Sequence, residues 1–186
     1  MKKIVVFASG SGSNFEAIVK KLHGNTCEVA LLVCDKPDAQ CLARAKQLGI
    51  KTLQLTPKNF PSKTSYETEI LKALKKINPT LIVLAGYMKL IGETLLREYE
   101  GQIINIHPSL LPAFPGKDGI GDAIRYGVKV MGVTIHYIDA GMDTGKIIAQ
   151  ESFKRADDET YTQSKEKIHT IEHELYPQVI RKMLEA

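Results

Sequence analysis

Short apolar runs alternate with amphipathic segments through the first half of the chain, and this alternation limits the possible folds more than any other feature. Nearly continuous apolar runs of strand length occupy residues 4–8, 28–34, 52–55, 80–85 and 102–106. Segments with helical spacing of apolar side chains lie between them, at residues 15–22, 39–48 and 63–77. Apolar strands separated by helices are typical of a parallel sheet that is covered on both faces.

The rhythm changes in the second half of the chain. A short helix is predicted at residues 120–126, and two strands follow at 130–138 and 146–153 with only the loop 139–145 between them. A connection this short predicts an antiparallel hairpin. A last helix is predicted over about residues 158–184, bent where Pro177 interrupts it. We therefore expect one α/β domain, residues 1–186: a Rossmann-like, mixed, mostly parallel sheet with helices on both faces and an antiparallel carboxyl-terminal hairpin.

Composition excludes several classes of protein. The net charge of +4 comes from lysines spread along the chain, which does not favour a nucleic-acid partner. No apolar run approaches the roughly 20 residues that a membrane helix needs, and polar residues from Ser9 onward interrupt the first apolar run too early for a signal peptide. Three cysteines without a C-x-x-C pair predict buried or half-buried thiols in a reducing compartment, with neither a disulfide framework nor a zinc site. A cytoplasmic protein is expected.

The segment from Asn105 to Pro112 carries the strongest indication of chemistry. Side chains of a strand alternate, so Asn105 and His107 face one side while Ile104 and Ile106 face the other. Pro108 then ends the strand, which places an amide and an imidazole at its carboxyl end. Open α/β sheets bind ligands at that edge, and an imidazole can act there as acid or base near neutral pH.

The first strand is followed by the turn Ser9-Gly10-Ser11-Gly12-Ser13-Asn14. Its glycines let the backbone approach a ligand, and the amides that open the next helix favour an anion, so we interpret the turn as a phosphate cradle. The alternative is a tight turn whose helix is capped by Ser13 or Asn14. Phe15 stands where a dinucleotide fingerprint needs its third glycine, which argues against nicotinamide binding.

The loop 139–145 contains two carboxylates, Asp139 and Asp143. Either could pair with His107 and favour its imidazolium form, or both could be solvated turn residues. His136 is expected to be a structural histidine. His169 and His173 are four residues apart on the last helix, but the H-E-x-x-H order is absent, so no metal is predicted.

Four motifs together resemble the phosphoribosylglycinamide formyltransferases, a family of folate-dependent enzymes. These are Gly12-Ser13-Asn14 after the first strand, Ala85-Gly86-Tyr87-Met88, the segment Asn105 to Pro112, and Gly141-Met142-Asp143-Thr144-Gly145, with Glu172-His173 and Tyr176-Pro177 near the end. The resemblance covers nearly the whole chain and implies the formyltransferase fold. It also implies formyl transfer from 10-formyltetrahydrofolate, as cosubstrate, to glycinamide ribonucleotide in purine biosynthesis. Both would be small-molecule substrates of a monomer or homodimer that needs no metal.

The resemblance also implies roles for individual residues. Asn105, His107 and Asp143 would be catalytic, with Asn105 and His107 stabilising an oxyanion. Glycinamide ribonucleotide would be bound by residues of three segments: Gly12, Ser13 and Asn14; Pro108; and His169, Thr170, Ile171 and Glu172. The folate would be bound by Lys63, by Met88, Lys89, Leu90 and Ile91, by Asn105, and by Asp139, Ala140, Gly141, Met142 and Asp143. Lys63 stands where many relatives have arginine, so a bidentate contact with the folate tail becomes a point charge.

Related enzymes with the same chemistry are the nearest alternatives. A methionyl-tRNA formyltransferase would be expected to add a basic carboxyl-terminal domain. A formyltetrahydrofolate deformylase would be expected to carry an extra amino-terminal domain, and a second histidine where Pro108 follows His107. A non-catalytic nucleotide-binding module would be expected to lose one of Asn105, His107 and Asp143, and all three are present.

Overall fold

A single seven-stranded sheet forms the centre of the molecule in the computed structural model, which describes residues 1–186. The strands are β1 Lys3–Ala8, β2 Glu28–Cys34, β3 Thr52–Gln54, β4 Leu81–Leu84, β5 Ile103–His107, β6 Val130–Tyr137 and β7 Ile147–Lys154. Their spatial order is β3-β2-β1-β4-β5-β6-β7, and β1 to β5 run parallel. Strands β6 and β7 each pair antiparallel with their predecessor, which confirms the predicted mixed sheet and its hairpin.

Six helices cover the sheet. They are α1 Ser13–Leu22, α2 Gln40–Leu48, α3 Lys63–Ile77, α4 Glu93–Glu98, α5 Gly119–Tyr126 and α6 Tyr161–Glu185. Buried residues of α1, α2, α5 and α6 join a core cluster of 29 residues, and α3 and α4 join a second cluster of 14. Alternate residues of β1 belong to different clusters, Val6 to the first and Phe7 to the second. The two clusters are therefore the two sheet faces, and helices lie on both as predicted.

Two short elements were missed by the sequence prediction. Helix α4 has six residues, and a 3₁₀ turn spans Pro57–Asn59. Both are too short to show a helical period of apolar residues, so only their tertiary contacts reveal them. The last helix starts at Tyr161, later than predicted, because Thr160 and Gln163 form a capping box.

Helix α6 continues through Pro177, which is buried. A proline has no N–H, so the carbonyl of His173 one turn earlier loses its helical partner. The Lys21 ammonium donates to that carbonyl instead, at 3.0 Å. Contact with α1 thus compensates for the proline and fixes α6 beside α1, where the two helices border the functional edge. None of the helices combines the length and apolar character that crossing a membrane requires.

The strand order locates that edge. From β1 the chain proceeds outward through β2 and β3, then returns to the other side of β1 with β4 and β5. Strands β1 and β4 are neighbours, and the chain leaves their carboxyl ends in opposite directions, towards β2 and towards β5. Such a reversal opens a crevice, and ligands of α/β proteins bind there.

Candidate active site

A cleft of about 560 Å³ opens at the carboxyl ends of β1, β4 and β5. Many of the predicted site residues line it: Gly12, Ser13, Asn14, Met88, Lys89, Leu90, Asn105, His107, Pro108, Met142, Asp143, His169 and Glu172. These residues come from five separate stretches of sequence. Parallel strands bring three of the stretches to one edge, and the β6–β7 loop and helix α6 close the cleft from its sides.

His107, the last residue of β5, is held by one ring nitrogen. Its side chain is almost fully buried, and Nε2 lies 2.8 Å from the Phe114 carbonyl oxygen. A carbonyl can only accept, so Nε2 carries the proton and Nδ1 is the nitrogen left for chemistry. The Ser109 hydroxyl donates chiefly to the Ala113 carbonyl, at 2.6 Å, and lies 3.2 Å from the Phe114 carbonyl oxygen, and Phe114 itself has a positive φ of 53°. The loop after β5 thus adopts an unfavourable backbone conformation where it orients the histidine.

Asp143 is the carboxylate that reaches His107. Its Oδ2 lies 3.6 Å from Nδ1 of His107 and accepts a hydrogen bond from the Gly116 amide at 2.8 Å. The first distance suits an ion pair but exceeds a hydrogen bond, so Nδ1 is not committed to the carboxylate and, when the ring is protonated, can donate to a third partner in the cleft. Asp143 has a φ of 55°, a left-handed conformation that aspartate tolerates better than most residues.

Asn105 is oriented by His136, a residue for which the sequence predicts only a structural role. The antiparallel register places the two side by side on β5 and β6, with Nδ2 of Asn105 3.4 Å from Nε2 of His136. His136 Nδ1 donates to the Tyr137 carbonyl at 2.9 Å, so its Nε2 is free to accept from the amide. Burial lowers the pKa of His136, which keeps the ring neutral. One amide proton of Asn105 remains for a ligand.

The other loop carboxylate, Asp139, serves the loop itself. Its Oδ1 accepts from the Gly141 amide at 3.0 Å and from the Thr144 hydroxyl at 2.6 Å. The hydrogen bond from Thr144 is the main cause of the lowered pKa of Asp139. The alternative left open by the sequence is thereby resolved: Asp143 faces His107, and Asp139 shapes the turn that presents it.

The predicted phosphate cradle is the turn between β1 and α1. Gly12 is the residue preceding α1, with a left-handed backbone (φ 74°), and no side chain caps the helix. Capping by Ser13 or Asn14, the alternative interpretation, is therefore wrong, and the first amides of the helix keep free hydrogens. A Cβ atom at Gly12 would lie 2.5 Å from Cβ of Cys41, so only glycine fits. A helix start with free amides is suited to an anion.

Asn14 joins the cradle to α6. Its Nδ2 donates to Oε2 of Glu172 at 3.0 Å, and its Oδ1 is buried without a partner. Glu172 is almost fully buried, and burial raises its pKa to about 7. A carboxyl group with this pKa changes charge near neutral pH. A bound ligand that donates hydrogen bonds to Glu172 would favour its carboxylate form.

The remaining predicted residues lie outside the cleft. Lys63 lines a neighbouring cavity of about 310 Å³ that shares Tyr87, Lys89 and Leu90 with the cleft wall. Ile91 is buried in the smaller core cluster. Thr170 and Ile171 line a separate surface groove with the start of α6, and Ala140 and Gly141 belong to the loop but not to the cleft lining.

Several cleft residues had no individual role predicted for them, although Ser9 belongs to the predicted cradle turn and Tyr87 to one of the motifs that carry the family resemblance. Ser9 is buried and its Oγ accepts from the Met88 amide at 2.8 Å, which connects the first turn to the loop after β4. Gly116, Lys36 and Tyr87 also line the cleft. Their positions depend on which loops meet at the sheet edge, and no local pattern signals that. No group of three His, Cys, Asp or Glu side chains is placed to hold a metal ion.

Comparisons with known proteins show the family of the chain. Residues 2–180 match the formyl transferase family. The chain is 52% identical to phosphoribosylglycinamide formyltransferase of Bacillus subtilis, covering 99% of this chain and 95% of that one. The crystal structure of glycinamide ribonucleotide transformylase 1 from Geobacillus kaustophilus superposes with a TM-score of 0.95 at 54% identity, covering 99% of each chain.

A shorter part of a larger protein matches as well. The chain is 36% identical to the trifunctional purine biosynthetic protein adenosine-3 of Drosophila melanogaster, covering 96% of this chain and 14% of that protein. The fold and the whole-length similarity point to the same conclusion. The chain belongs to the formyl transferase family, as an enzyme of the phosphoribosylglycinamide formyltransferase type.

Proposed function

We propose that this enzyme transfers the formyl group of 10-formyltetrahydrofolate to the amine of glycinamide ribonucleotide, a step of purine biosynthesis. The observation that carries the proposal is one cleft that holds both a phosphate cradle and a set of Asn105, His107 and Asp143, with Nδ1 of His107 3.6 Å from Oδ2 of Asp143. The full-length relatives named for the same reaction support the choice of acceptor.

The acceptor nucleotide occupies the β1 side of the cleft in this proposal. Its phosphate accepts from the free amides of Gly12, Ser13 and Asn14. Glu172 lies beside the cradle through its hydrogen bond with Asn14, so it faces the remainder of the nucleotide. His169 and Pro108, which also line the cleft, enclose the nucleotide between α6 and the end of β5.

The formyl donor occupies the β5 and hairpin side. Met88, Leu90 and Met142 expose apolar surface there, which suits the flat pterin and aminobenzoyl groups of a folate. Lys63 and Lys89, which form no ion pair in the structure, line the adjoining cavity and suit the carboxylates of the folate tail. We assign these residues to the donor, together with the loop that carries Asp143.

Catalysis then needs no nucleophile from the protein. The neutral amine of the nucleotide attacks the formyl carbon, and negative charge develops on the formyl oxygen. Asn105 Nδ2–H and protonated His107 Nδ1–H both face the cleft and donate to that oxygen. Since Phe114 occupies Nε2, the ring cannot turn away as charge develops.

Asp143 stabilises the charged ring and handles the proton. The attacking nitrogen must lose a proton and N10 of the departing tetrahydrofolate must gain one. A water held by Asp143 can carry that proton between the two nitrogens, because the 3.6 Å separation from His107 leaves the carboxylate free to accept. The product is the formylated nucleotide with tetrahydrofolate.

A direct assay tests the proposal and separates it from the related activities. Purified enzyme is given 10-formyltetrahydrofolate with glycinamide ribonucleotide, with initiator methionyl-tRNA, or with water alone. We expect turnover with the nucleotide only. The His107→Ala variant should lose about 10²–10³ in kcat, with glycinamide ribonucleotide affinity within about threefold of the original by calorimetry, because the cradle lies elsewhere. Formylation of tRNA, hydrolysis without acceptor, or full activity of the variant would each contradict it.

The proposal includes the cellular setting. We infer a cytoplasmic enzyme, monomer or homodimer, whose partners are its two small-molecule substrates and neither nucleic acid nor membrane. Turnover that is insensitive to added DNA, RNA or vesicles would agree with this.

A further inference from the structure

Two cysteines lie in contact directly behind the phosphate cradle. Cys34 is the last residue of β2 and Cys41 lies in the first turn of α2, and their sulfur atoms are 3.6 Å apart. Both side chains are fully buried and unoxidised. Neither the catalytic set nor the cradle uses them as ligands, so their proximity is not explained by formyl transfer.

Cys41 forms the rear wall of the cradle. Its backbone amide donates to the carbonyl of Gly10 at 3.0 Å. A Cβ atom added to Gly12 would lie 2.5 Å from Cβ of Cys41, so the glycine backbone packs directly against Cys41. A displacement of Cys41 therefore reaches two residues of the cradle without an intervening side chain.

We propose that Cys34 and Cys41 are a peroxide-sensitive thiol pair whose oxidation to a disulfide impairs phosphate binding at the cradle. The effect on the nucleotide rests on the proposed function, whereas disulfide formation itself does not. The sulfur atoms must close from 3.6 Å to about 2.05 Å, because that is the length of a disulfide bond. Cys34 belongs to a strand paired on both sides, so the start of α2 is the part that moves.

The chemistry assigns different tasks to the two sulfurs. A hydrogen bond from Cys41 lowers the pKa of Cys34 to about 7, while Cys34 raises that of Cys41. Both thiols are buried, so hydrogen peroxide reaches Cys34 when the start of α2 moves away from β2. The Cys34 thiolate then attacks one oxygen of the peroxide, breaks the O–O bond and releases water after protonation, which leaves a sulfenic acid. The sulfur of Cys41 then attacks that of Cys34 and expels a second water as its own proton is lost. Two thiols and one peroxide give one disulfide and two waters.

Mass spectrometry and kinetics of the full-length enzyme test the proposal together. After treatment with hydrogen peroxide, we expect the intact mass to fall by about 2 Da, and peptide mapping to join Cys34 to Cys41. The KM for glycinamide ribonucleotide should rise at least about tenfold while the KM for the folate changes less than about twofold, because displacement by about 1 Å at a binding group is costly. Dithiothreitol should restore both the mass and the KM.

Cysteine variants supply the controls, each compared with its own untreated sample. Cys27→Ala removes the third thiol and should remain sensitive to peroxide. Cys34→Ser should resist, and Cys41→Ser should stop at a sulfenic acid of Cys34 that dimedone traps. Thermal unfolding of each untreated variant shows whether it is folded.

Different failures lead to different conclusions. Mass gains of 16 or 32 Da without the cross-link, or a cross-link to Cys27, would overturn the thiol pair. A cross-link that leaves the KM for the nucleotide unchanged would overturn its effect on the cradle. If the enzyme shows no formyl transfer at all, the proposed function fails. The mass shift and calorimetry with ribose 5-phosphate then still decide whether oxidation weakens phosphate binding.

Discussion

Gly119→Ala should slow catalysis without unfolding the protein, because this glycine lies against the edge of the His107 ring. A Cβ atom added at Gly119 would lie 3.0 Å from Nε2 of His107 and 3.2 Å from the carbonyl oxygen of Phe114. Ordinary van der Waals contact starts near 3.4 Å, so the ring or the carbonyl must yield by about 0.4 Å. The hydrogen bond that orients the ring joins those same two atoms, at 2.8 Å.

The substitution should slow catalysis but leave the stability nearly unchanged, because its two contributions to the free energy of unfolding have opposite signs. A misplacement of 1 Å can cost about 10² in rate, so 0.4 Å at an oxyanion donor should reduce kcat about tenfold. Alanine favours a helix by up to about 1 kcal/mol over glycine, and a weakened hydrogen bond costs about 1 kcal/mol. The free energy of unfolding should therefore stay within about 1 kcal/mol of the original.

Steady-state kinetics and urea unfolding measure both quantities on the same protein. The KM values of both substrates should change less than about twofold, because neither the cradle nor the folate wall touches Gly119. Asp122→Ala on the solvent side of the same helix is the matched control, with unchanged kcat and stability within about 0.5 kcal/mol. An unchanged kcat in Gly119→Ala would refute the role of the Phe114 carbonyl. An equal loss in the control would show a general effect of α5.

Two further perturbations test other parts of the site. Glu172→Gln keeps the contact with Asn14 but removes a carboxyl whose pKa is raised by burial to about 7 from an ordinary 4.5. The folded chain holds one more proton than the unfolded chain between those values, so this group lowers stability as pH rises from about 4.5 to 7, by at most about 3 kcal/mol. Chemical unfolding from pH 5 to 8 should show the variant gaining stability relative to the original over that range, and parallel profiles would contradict it. His136→Phe removes the acceptor for Asn105, so kcat should fall about tenfold with both KM values nearly unchanged. A stopped-flow or steady-state kcat equal to the original would exclude that positioning role.

Local patterns were sufficient for the frame of the molecule. The strands from β1 to β5 and the longer helices follow from the pattern of apolar residues. In a helix with one buried face, apolar residues recur about every 3.6 positions, whereas an interior parallel strand is buried on both faces and is apolar almost throughout. The placement of Asn105 and His107 on one face of β5 follows from strand alternation alone. Helix α4 was not predicted, because its six residues contain too few turns for a helical period of apolar residues to appear.

What the site does with those residues depends on contacts between distant segments. Asp139 and Asp143 are the same residue type in the same glycine-containing loop, so the sequence does not distinguish them. Only the folded loop directs Asp143 to His107 and Asp139 to Thr144. The free nitrogen of His107 is decided by the carbonyl of Phe114, a backbone atom that carries no sequence signal.

The sequence by itself determined the sheet, its functional edge and the residue types there, since these depend on short-range periodicity. The tertiary structure alone decided the partners: His136 beside Asn105 by antiparallel register, Glu172 against Asn14 by packing of α6 on α1, and Cys34 against Cys41 behind the cradle. Register and helix packing are set by the whole core. Distances of 3 to 4 Å between side chains on different strands and helices therefore appear only when the fold is complete.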